Sequence, residues 1–148
     1  MNRRAETVDF ASPPETILQA IEASVEPDRV SSLKSFAHEM LGRAPADFFA
    51  SRSKEEVAAT VTDIFDLLET TAPDDLAVRV RPRSGHGHIG SVELVIGDRP
   101  FIVDTVRQYL ISEGFDIRYQ LHPVVVVDRG DDGRISRIRS WRATDTRT

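Results

Sequence analysis

The sequence predicts an α+β fold, with helices first and an antiparallel sheet after them. Up to about residue 70 the apolar residues recur at three- and four-residue steps, the helical period. From residue 77 onward the pattern changes to alternation, the period of a strand with one buried face. Serine-led capping signals stand before two of the helical stretches.

Ser12-Pro13-Pro14-Glu15 reads as a capping box with proline at the first helical position, placing a helix start there. Ile17, Ile21 and Val25 then fall on one face, and Pro27 ends the stretch. Val30, Leu33, Ala37, Met40 and Leu41 mark a second helix, closed by Gly42 as its C-terminal cap. Residues 44–50, with Phe48 and Phe49, are expected to be a connecting turn of helix. Ser53-Lys54-Glu55-Glu56 is a further capping box, followed by the stripe Val57, Val61, Ile64, Phe65 and Leu68. The segment 71–75, with Pro73, ends it.

Residues 77–81 form the first expected strand, stopping at Pro82, and 83–90 a glycine-rich loop. Residues 91–96 are a second strand. Gly97-Asp98-Arg99-Pro100 turns into a short helix in which Ile102, Val106, Tyr109 and Leu110 share a face and Gly114 closes the end. A long strand is expected over 116–128, with Tyr119, Leu121, Val125 and Val127 on one face and Pro123 at a bulge or edge. After a turn at 129–133, residues 135–141 return as a fourth strand, and 143–148 are a polar end. The expected division is a helical segment over 1–75 and an α/β segment over 76–148, with one helix on a half-covered sheet.

Composition narrows the function classes. The chain has 148 residues, 40% hydrophobic and 29% charged, with a net charge of −5. One compact domain is within reach of that length, and the acidic balance argues against a dedicated nucleic-acid binder. There are no cysteines, hence no disulfide, thiolate metal site or thiol nucleophile. The longest apolar run, residues 124–127, is far too short to span a bilayer, and Met1-Asn2-Arg3-Arg4 leads into no apolar stretch. A cytoplasmic location is the expectation.

Several motifs invite chemistry. Gly85-His86-Gly87-His88-Ile89-Gly90 matches G-x-G-x-x-G, but that fingerprint needs a helix after it, and a strand follows here. The expectation is a strand-to-strand loop. His86 and His88 lack the third and fourth ligands of a zinc site, because His38 and His122 lie on other elements. Asp128-Arg129-Gly130-Asp131-Asp132-Gly133 places Gly130 and Arg139 where a calcium loop needs oxygen ligands, so it reads as a turn. Arg134, Arg137, Arg139 and Arg142 around Ile135, Ile138 and Trp141 could contact single-stranded nucleic acid, yet Asp128, Asp131 and Asp132 offset their charge. A charged strand face is expected, and no nucleic-acid or membrane partner. No serine–histidine pair, acid pair or lysine in an apolar setting stands out, so no catalytic residue and no metal ligand is assigned.

Residues 91–134 carry a resemblance. Strand, Asp-Arg-Pro, helix, glycine, strand resembles the opening of an ACT domain, a small ferredoxin-like βαββαβ module that often binds amino acids. More specifically, the run from Asp98 to Val106, with Gly114 and then His122-Pro123-Val124, is similar to the N-terminal region of the large bacterial NAD-dependent glutamate dehydrogenases. The resemblance implies a non-catalytic regulatory or oligomerisation module, whose parent enzyme converts glutamate to 2-oxoglutarate with NAD bound elsewhere and no cofactor in this segment. It implies as partners a second copy, the remainder of the parent enzyme and an amino-acid effector. The candidate ligand residues are Asp98, Arg99, Pro100, Phe101 and Asp104, with Asp98 expected to cap the helix. In ligand-binding ACT domains glycine usually follows Asp-Arg-Pro; here Phe101 does, as in the glutamate dehydrogenases, which weakens the ligand site. A full ACT domain also needs another helix and strand after Trp141, where only residues 142–148 remain. Truncation is therefore expected, with strand 77–81 as the alternative source of the missing edge. A free-standing ACT-type amino-acid sensor is the competing reading.

Overall fold

A computed structural model describes residues 13–83, 85 and 87–142 of the chain. Nine elements follow in order: α1 (Glu15–Ser24), α2 (Val30–Leu41), α3 (Ala46–Ala50), α4 (Lys54–Thr70), β1 (Ala77–Pro82), β2 (Gly90–Val95), α5 (Ile102–Ser112), β3 (Val125–Arg129) and β4 (Ile135–Ser140). The class is α+β, as the change of periodicity requires.

Three helices make the core. α1, α2 and α4 pack on one another, and the expected stripes face inward: Ile17 and Ile21 from α1, Leu33, Ala37, Met40 and Leu41 from α2, Val57, Val61 and Phe65 from α4. Leu18 and Phe36 join them. Phe36 meets Phe65 edge to face, with ring centres 5.8 Å apart, an arrangement that aromatic quadrupoles favour. The best-defined start is that of α4. Ser53 accepts from the Glu56 N–H while the Glu56 carboxylate accepts from the Ser53 N–H, each at 3.1 Å. At α1 the expectation needs correction. The N-cap is Pro14, without a side-chain cap bond, and its carbonyl accepts from Ile17 N–H at 2.9 Å. Ser12 lies outside the described residues, as do His86 and residues 143–148.

The strands pair differently from a single four-stranded sheet. β1 and β2 form one antiparallel ribbon, β3 and β4 another, and each ribbon sits on its own helix, β2 against α4 and β4 against α2. A two-stranded ribbon is marginal alone and needs such a support; separate supports keep the two apart. With no continuous sheet beneath it, α5 buries no side chain completely, and Tyr109 is 62% exposed.

The expected strand 116–128 also shortens. Only 125–129 pairs, because Pro123 donates no ladder bond and β4 offers partners only from Val125 onward. The alternation before it survives in packing: Tyr119, Leu121, Val125 and Val127 all rest half-buried on the core. β4 contributes Ile135 and Ile138, which strict alternation would set on opposite faces. The register explains their common burial. Arg129 pairs with Ile135 and Asp128 with Arg137, leaving Ser136 as an extra residue in a bulge.

Candidate functional site

The segment that carries the resemblance lies at the surface. Gly97, Asp98, Arg99 and Pro100 form an exposed turn, and Asp104 is exposed in the first turn of α5. The N-cap of α5 is Phe101 rather than Asp98, and it makes no side-chain cap bond. Its φ of 66° is left-handed, a conformation that costs a side chain with a Cβ roughly 1–2 kcal/mol. Phe101 is 77% exposed, so little local packing offsets that cost. The five candidate ligand residues are thus contiguous but open, with the phenyl ring at the helix start where a ligand would need the backbone.

Two shallow concavities lie elsewhere. One, of about 160 Å³, is lined by Asp28, Arg29, Asp132 and Arg134 between the start of α2 and the β3–β4 turn. The second, of about 230 Å³, lies among Ile17, Phe49, Arg52 and Val57. Neither contains any of residues 98–104.

Arginines organise the surroundings. Arg29 bridges α2 to α4, reaching Asp66 at 2.7 Å and Glu69 at 3.3 Å, and lies over the Phe65 ring. The hydrogen bond to Asp66 holds its guanidinium above its ordinary pKa despite partial burial. Arg52 stacks on Phe48 at 4.2 Å and on Tyr119 at 5.2 Å. Burial, then the charge of Arg83, lowers its pKa, though an arginine stays charged at neutral pH. Arg79 and Arg81 reach Asp63 from β1, with Glu93 of β2 buried beside them. Arg129, which the sequence offers only as the first residue of a turn, donates to carbonyls at the end of α4. No sequence signal marks it, because its acceptors are main-chain atoms some sixty positions away.

The G-x-G-x-x-G stretch closes an antiparallel hairpin, with Arg83 N–H donating to Ile89 and β2 beginning at Gly90. A dinucleotide loop would need a helix there. Among the described residues no group of three histidine, aspartate or glutamate side chains could hold a metal ion. Among them, too, no helix is long and apolar enough to cross a membrane.

Fold and surface together define a small α+β module of ACT-like type, whose chemistry-bearing residues support structure and whose resemblance-bearing segment lies open. The chain matches the family described as Glutamate dehydrogenase, ACT1 domain, over residues 36–148, and it belongs to that family. It is also similar to the NAD-specific glutamate dehydrogenase of Halomonas elongata, 24% identical over 132 residues. That alignment covers 86% of this chain and 8% of the relative's length. No solved structure matches.

Proposed function

We propose that this chain is a non-catalytic regulatory or oligomerisation module of a large NAD-dependent glutamate dehydrogenase. In this reading the conversion of glutamate to 2-oxoglutarate, and the NAD that supports it, belong to other parts of the parent enzyme. Its partners are a second copy and the remainder of that enzyme, in the cytoplasm. The observation that carries the reading is the distribution of apolar surface. Among the described residues all eight large hydrophobic side chains left exposed fall between Leu76 and Phe115, the half of the chain that therefore offers the most apolar surface to a partner. The small share of the relative's length that aligns supports it as well.

Calorimetric titration of the chain with glutamate and a panel of other amino acids tests the reading. No saturable heat is expected, because Phe101 occupies the helix start and residues 98–104 line neither concavity. Saturable binding that disappears in Asp98→Ala or Asp104→Ala would make the chain an amino-acid sensor instead.

A further inference from the structure

The groove between the starts of α1 and α4 joins an apolar lining to positive charge that the rest of the fold leaves uncompensated. It is lined by buried Ile17 and Val57, by Pro14 and Phe49, and by Arg52 and Lys54. Arg52 donates to the Phe48 carbonyl at 3.2 Å and to the Ser51 hydroxyl at 3.0 Å, and it stacks on Phe48 and Tyr119. None of these partners is an acid, and no carboxylate among the described residues pairs with Arg52. Glu56, one turn further on, is engaged by the Ser53 N–H and by Arg83. Lys54 reaches only Glu55, at 4.0 Å and in solvent, a contact worth little. A partly buried guanidinium without a counter-ion favours an incoming carboxylate. The positive ends of the two helices beside it add to that preference.

We propose that this groove is the seat of the chain's own residues 5–12, with the Phe10 ring against Ile17, Phe49 and Val57 and the Asp9 carboxylate on Arg52. Two observations select that occupant. Pro14 lines the groove and is joined to the segment through Pro13 alone, so Phe10, four residues before Pro14, is held within about 14 Å of it even in an extended chain. The stretch Ala5-Glu6-Thr7-Val8-Asp9-Phe10-Ala11-Ser12 carries two acids, no base and an aromatic ring, the complement of two cations around an apolar lining. Tethering makes the docking intramolecular, so contacts too weak to capture a separate molecule suffice. Docked there, the segment closes the junction of α1, α3 and α4 and is an internal occupant that any external acidic peptide must displace. The inference concerns the helical half of the chain and stands apart from the assembly reading, whose exposed apolar residues lie between Leu76 and Phe115.

Paramagnetic relaxation in the intact chain tests this. The chain has no cysteine, so Thr7→Cys carries a single nitroxide on the segment. The expected result is strong broadening of the amide resonances of Phe49, Arg52 and Val57, all distant from Thr7 in sequence. Asp9→Asn should lower the docked-to-free ratio read from that broadening about two- to fivefold, the range of a half-exposed ion pair. Phe10→Ser should lower it about tenfold or more, as an apolar ring loses its cover. Should circular dichroism show Phe10→Ser unfolded, the nearly isosteric Asp9→Asn carries the test. Broadening that only fades along the chain from Pro14 and spares Phe49 and Arg52 overturns the proposal. So does broadening at the groove that ignores both substitutions, since the tether alone would then account for it. A nitroxide-bearing chain mixed with isotope-enriched chain lacking the label should broaden nothing; broadening there would give the groove to a second copy and overturn the proposal as well. None of these outcomes bears on the amino-acid titration, so failure here and failure of the assembly reading are distinguishable.

Discussion

Arg129 donates four hydrogen bonds through its terminal nitrogens, and every acceptor is a main-chain carbonyl: Leu68, Glu69, Thr71 and Gly133, at 2.6 to 3.0 Å. The last carbonyls of a helix have no partner within it, and a planar guanidinium can serve several at once where an ammonium cannot. Arg129→Ala should lower the unfolding free energy by about 2 kcal/mol in urea titrations, the magnitude of a hydrogen-bonded charge lost. Arg129→Lys should restore less than half of it. Phe101 poses the opposite case, a side chain held at positive φ with its ring in solvent. Phe101→Gly should be neutral or stabilising by up to about 1 kcal/mol, since release of left-handed strain exceeds the entropy glycine adds to the unfolded chain. A thermal melt reads the sign, and a clear destabilisation would mean that the ring has a packing role in the folded chain.

Among the elements, α4 is the one the others are built on: α1, α2 and β2 all rest against it. Its capping box is complete and lies at the surface, so Ser53→Ala removes a cap without opening the core. The expected cost is about 1 kcal/mol, read as a shift in denaturation midpoint with unchanged slope. α5 was equally legible as an amphipathic helix from Ile102, Val106, Tyr109 and Leu110, and it forms where expected, closed by Gly114 at φ 87°. Its tertiary support was not legible. A periodic apolar stripe states that a helix wants a cover; it does not state which surface supplies one.

At the scale of the whole molecule the stability is unevenly distributed. The cluster buried among α1, α2 and α4 extends to Ile135 and Ile138 of β4, across the boundary expected near residue 75, whereas α5 adds no buried side chain to it. Native-state hydrogen exchange should therefore show amides of α2 and α4 opening only with global unfolding, and those of α5 exchanging by local opening at much lower free energy. Equal protection across all five helices would contradict this. The same unevenness agrees with the assembly reading, because the surface left apolar belongs to the less supported half of the chain.

The sequence by itself determined the kinds of element and most of their borders. Periodicity, caps and turn residues are local, and local terms set where α2, α4, β1, β2 and α5 begin and end. It also carried the family resemblance, through the run from Asp98 to Val106 that lies within the matched residues. Tertiary structure alone decided what faces what. The strands separate into two ribbons because Arg79 and Arg81 tie one to α4 while Ile135 and Ile138 tie the other to the helical core. An alternating strand reads identically whether its apolar side faces in or out. That choice fell to Asp63, a residue on another element whose ion pair with Arg81 turns the valines of β1 toward solvent.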